Sequence, residues 1–116
     1  MNYDFYIKQN DTWPPLKARL LDADDVEIPV GDAQEIRLIM TKKNNRRFEI
    51  INSTNLSVVT DTEGKTWVVY YWEPDDTKNS GGYQAEFVVI LADGNVVTVP
   101  NKNDEYVMIL IGNELG

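Results

Sequence analysis

The sequence contains no cysteine and no histidine. Without cysteine there is no disulfide, no thiolate nucleophile and no cysteine-based zinc site. Without histidine the commonest general base and the commonest metal ligand are both missing, so most hydrolase mechanisms lose their usual parts. Basic residues are outnumbered 11 to 19, and the net charge of −8 opposes a phosphate backbone or an anionic membrane surface. Long apolar runs are also lacking; none reaches the roughly 18 residues of a membrane-spanning helix. The opening, Met1-Asn2-Tyr3-Asp4-Phe5, has no basic region leading into an apolar run and a cleavage site, so no signal peptide is expected and synthesis in the cytoplasm is. The expectations are no enzyme, no nucleic acid, no membrane, no metal and no cofactor.

What is present is strand-forming sequence. The 116 residues fit one domain, 1–116, with 113–116 as a tail, and 42% hydrophobic residues suffice for one core. Tyr3, Phe5 and Ile7 alternate with Asp4, Tyr6 and Lys8, the period of two of a half-buried edge strand. Trp13-Pro14-Pro15 holds the chain extended, and Leu16, Ala18 and Leu20 then share an inward face. Val26 to Val30, broken by Pro29, reads as an edge piece or a loop. Ile36, Leu38 and Met40, then Phe48 and Ile50 after Asn44-Asn45, form a hairpin with Lys42, Lys43, Arg46 and Arg47 at its tip.

Leu56 to Thr60 is a weaker strand that turns at Gly64 into Trp67-Val68-Val69-Tyr70-Tyr71-Trp72, expected as a central strand covered on both faces. Tyr83, Ala85, Phe87, Val89 and Leu91 share one face of the next strand. Asp93-Gly94 turns the chain into Val96 to Val99, stopped by Pro100, and a polar loop at 101–104 precedes a last strand, Tyr106 to Ile111. Eight or nine short strands with no helical window predict an all-β sandwich.

Between the two strongest strands lies a polar corner. Pro74 ends ladder pairing, the paired glycines Gly81 and Gly82 allow the chain to reverse, and Tyr83 follows, placed to send its ring into the core and its hydroxyl back to the corner. The strands at Val88 to Leu91 and Tyr106 to Ile111 are apolar on both sides, which makes Val88, Ile90, Val107, Ile109 and Ile111 candidates for an interface. Trp13, beside two prolines, is the candidate exposed platform.

The carboxylate pairs Asp24-Asp25 and Asp75-Asp76 are turn neighbours, and neither has the spacing of a glycosidase pair or an EF-hand. Ser80-Gly81-Gly82 precedes a strand, where a phosphate cradle would precede a helix. Ser53, Ser57 and Ser80 lie in no nucleophile elbow, and the sequon matches at Asn10, Asn52 and Asn55 carry no weight without an export signal.

Three stretches resemble the immunoglobulin-like N-terminal domain of phage baseplate upper proteins and related siphophage tail and neck proteins. They are Asp4 to Leu16, Ile36 to Met40, and Trp72 to Phe87 with Ala92-Asp93-Gly94 and Pro100-Asn101. The resemblance implies an immunoglobulin-like antiparallel β-sandwich with no catalytic residues, acting as a docking or assembly module in a virion, in the tail, baseplate or neck. Its implied partners are further copies of the chain and other phage structural proteins. The alternative expectation is a carbohydrate-binding sandwich that uses exposed aromatics near Trp13.

Overall fold

The computed structural model describes residues 3–43, 45–100 and 106–115; the polar loop at 101–104, Asn44 of the basic hairpin and Gly116 of the tail lie outside them. Among the described residues there are nine strands and no helix. They are β1 (Phe5–Lys8), β2 (Leu16–Ala18), β3 (Glu35–Lys42), β4 (Asn45–Ser53), β5 (Leu56–Thr60), β6 (Thr66–Tyr70), β7 (Gly81–Ile90), β8 (Val96–Val99) and β9 (Val107–Gly112).

The strands form two sheets, one in the order β1-β9-β7-β3-β4 with β8 also on β7, the other β2-β6-β5. The orders β9-β7-β3-β4 and β2-β6-β5 are those of the G-F-C-C′ and B-E-D strands of an immunoglobulin sandwich. Two hairpin turns have their chemistry in the sequence. Asp61 closes the β5–β6 hairpin by accepting the backbone N–H groups of Glu63 and Lys65 on its carboxylate, with Gly64 at φ 79°. Gly94, at φ 90°, does the same service between β7 and β8.

Period-two burial is clearest in β7, where Tyr83, Ala85, Phe87 and Val89 are buried and Gln84, Glu86, Val88 and Ile90 are half-buried. The buried face meets Leu38 and Met40 of β3, Ile109 and Ile111 of β9, and Leu16, Val68 and Tyr70 of the small sheet in one core. Truncating a fully buried ring such as Phe87 to alanine costs about 3–5 kcal/mol, a large part of the roughly 5–15 kcal/mol by which a domain is stable.

Three expectations need correction. The large sheet is mixed, because β1 runs parallel to β9. These strands come from opposite ends of the chain, so no tight hairpin forces them antiparallel. Gly81 and Gly82 are the first two rungs of β7, opposite Ile111 and Leu110, and not a turn. The central strand β6 stops at Tyr70: Tyr71 is half exposed, and Trp72 leaves the ladder to fill the edge of the sandwich, 5.7 Å from the Phe5 ring and 5.5 Å from Tyr70.

Candidate functional site

The corner between β6 and β7 is built on Asp76. One oxygen of its carboxylate accepts the Tyr70 hydroxyl at 2.6 Å and the Glu73 backbone N–H at 2.7 Å, while the Asp76 N–H donates to the Glu73 carbonyl across exposed Pro74. Burial, and then the neighbouring Asp76 carboxylate, hold the Tyr70 hydroxyl well above the ordinary tyrosine range. At the far side of the corner Tyr83, buried, donates its hydroxyl to the Asn79 carbonyl at 2.7 Å, and burial raises its pKa too. Gly82 lies under Tyr3, whose hydroxyl would stand 2.8 Å from any β-carbon placed there.

The corner in turn holds the segment that crosses from β1 to β2. Thr77, fully buried, donates its hydroxyl to the Asp11 carbonyl, and its own carbonyl accepts the Asn10 N–H. The Trp72 indole N–H donates to the Pro14 carbonyl at 3.0 Å, and the Gln9 side-chain amide donates to the Lys78 carbonyl. With its backbone fastened on this side, the crossing turns Trp13 outward.

Between Trp13 and the outer face of β1 and β9 runs an open groove of about 380 Å³, walled by Tyr6, Trp13, Pro14 and Leu110, with Lys8 and Asp11 also lining it. Trp13 is 70% exposed and Tyr6 59%. Two flat apolar surfaces flanked by one ammonium and one carboxylate make a binding surface by shape and hydrophobicity. Sequence reasoning singled out Trp13 but passed over Tyr6 and Leu110. The signal for Tyr6 was present: it is an aromatic on the solvent side of the period-two pattern, between Asp4 and Lys8.

The five candidate interface residues do not share a face. Val88 and Ile90 lie half-buried on the outer face of β7. Ile109 and Ile111 are buried in the core, opposite Tyr83 and Gly81, and Val107 packs against that core from the same side. The inward side of β9 is therefore closed to a partner; its outward side consists of Met108 and Leu110.

The remaining candidates serve local structure. Asp22 accepts the N–H groups of Asp24 and Val26, closing the first acidic turn. At the basic hairpin the Lys42 ammonium lies 4.8 Å from the Phe48 ring centroid and that of Lys43 5.8 Å from Tyr3. Among the described residues no cluster of three or more acidic groups is placed to hold a metal ion. Compared with known proteins, the chain matches no family model, no curated protein and no solved structure.

Proposed function

We propose that the protein is a non-enzymatic assembly module, a structural component of a phage virion in the tail, baseplate or neck, made in the host cytoplasm and docking on further copies of itself and on other virion proteins. The observation that carries this reading is the groove. It is built largely by the opening stretch, Asp4 to Leu16, that resembles the N-terminal domain of baseplate upper proteins, and it leaves Trp13 and Tyr6 in solvent. Exposed aromatics gathered around one depression are the composition of interface anchors, which cost about 2 kcal/mol or more when truncated.

Trp13→Ala, tested by co-sedimentation with purified tail and neck proteins of the same phage, should weaken assembly at least tenfold, about 1.4 kcal/mol. Its melting temperature should stay unchanged because the side chain is mostly in solvent. Full co-assembly by Trp13→Ala would refute docking through the groove.

The exposure of both rings in one groove also supports a second reading, a carbohydrate-binding site in which the C–H face of a sugar stacks on Trp13 and Asp11 or Lys8 takes its hydroxyls. Glycan titration that quenches or shifts Trp13 fluorescence would favour it; unchanged fluorescence would rule against it.

A further inference from the structure

β5 is the unprotected edge of the small sheet. The other edge strands carry the devices that discourage pairing with a second chain. β1 and β2 are four and three residues long, with Lys8 on the first and Lys17 on the second. β4 bears Arg47 and Glu49 and is thrown out of register against β3 around Thr41. β8 is four residues long and is followed by Pro100. β5, Leu56-Ser57-Val58-Val59-Thr60, has no charge, no proline and no register shift against β6. Val58 is 41% exposed and Val59 45%.

The ladder parity says which backbone groups are free. The Asp61 N–H donates to the Lys65 carbonyl, so the bonded rungs that follow at intervals of two are Val59 with Trp67 and Ser57 with Val69. Leu56, Val58 and Thr60 therefore point their N–H and carbonyl groups away from β6; Leu56 N–H folds back onto the Thr54 carbonyl. Among the described residues no hydrogen bond outside this ladder reaches the backbone of Val58 or Thr60. Beside this edge an open cleft of about 380 Å³, lined by Val30, Ala33, Gln34, Leu56 and Val58, leaves room for another side chain.

We infer that β5 is a homodimer seam, where the β5 of a second copy adds antiparallel about a twofold axis through Val58. The strand is complementary to itself in that register. Val58 meets its own copy in a bonded rung, Thr60 N–H reaches the Leu56 carbonyl of the other copy, and Ser57 faces Val59. Charge selects the direction. Antiparallel pairing sets Asp61 against the neutral Asn55 of the other copy, whereas parallel pairing would set Asp61 beside Asp61. Each copy carries −8, so added salt should strengthen the dimer by screening the two bodies from one another. The seam is separate from the groove at Trp13, and the two stand or fall independently.

The absence of cysteine allows a clean test. Ser57→Cys and Val59→Cys proteins are prepared separately, then mixed and oxidised. In the inferred register Ser57 and Val59 form a non-bonded rung with Cα atoms about 4.5 Å apart, within disulfide range, whereas two thiols at 57 lie roughly 7–8 Å apart on a diagonal. The mixture should cross-link roughly tenfold faster than either variant alone. Val58→Lys, which sets two ammonium groups face to face, should weaken the wild-type dimer seen in sedimentation by roughly tenfold. A wild-type chain that stays monomeric as concentration and salt rise, or a mixture that cross-links no faster than the single variants, overturns the seam. So does protection of the Val58 and Thr60 amides that appears only when a different protein is added.

Discussion

A single carboxylate oxygen of Asp76 receives both the hydroxyl of Tyr70, at 2.6 Å, and the backbone N–H of Glu73, at 2.7 Å, tying the end of β6 to the turn that follows it. Tyr70 is buried, so removing its acceptor leaves its hydroxyl without the protein partner it has in the fold. Asp76→Ala is expected to cost about 1–3 kcal/mol, and Asp76→Asn, which keeps an acceptor oxygen, clearly less. Urea unfolding midpoints of the two variants check the difference; equal midpoints would mean the carboxylate does not hold the corner.

Stability should fall at alkaline pH. Tyr70 and Tyr83 both have pKa values raised above the ordinary 10.0 in the folded chain, Tyr70 by burial and Asp76 and Tyr83 by burial. A raised pKa means the folded state keeps a proton that the unfolded state has lost. The contribution is whole below pH 10 or so, and declines as pH rises above the unfolded-state value. Denaturation midpoints measured across that range should drop for the wild type and drop less steeply for Tyr70→Phe.

Tyr83→Phe keeps the buried ring and deletes only the bond to the Asn79 carbonyl. A loss of about 1 kcal/mol is expected, with the groove and its binding unaffected. An unchanged melting temperature would show that the hydroxyl contributes nothing to the corner.

The two glycines of β7 should respond differently to alanine. Gly81, at φ 139°, has a backbone that a β-carbon strains, at about 1–3 kcal/mol. Gly82 has the closer contact, yet that contact is the far end of the Tyr3 side chain, which can swing away. Gly81→Ala should therefore unfold at lower urea than Gly82→Ala, and the reverse order would place the strain in the wrong residue.

The fold was legible wherever one face of a strand is polar. The alternation in β7 and the turn residues at Asp61 to Gly64 and Asp93-Gly94 were enough to place the four hairpin strands β5 to β8 and the core face. β9 was not legible in this way, because Val107, Met108, Ile109, Leu110 and Ile111 are apolar on both sides and nothing local says which side is inward. That ambiguity put Ile109 and Ile111 in an interface when they belong to the core. The groove was half legible for a different reason: Trp13 announces itself beside two prolines, but Leu110 joins it only through the parallel pairing of β1 with β9, a contact between the two ends of the chain.

That parallel pairing also decides how the protein bears force. The rungs run from Phe5 with Ile109 to Lys8 with Gly112, and the bonds from Asp4 N–H to the Met108 carbonyl and from Gln9 N–H to the Gly112 carbonyl extend them at both ends. The chain enters β1 at one end of this ladder and leaves β9 at the other. Tension between the two ends of the chain therefore shears the whole ladder at once, where an antiparallel pair would have opened like a zip, one bond after another.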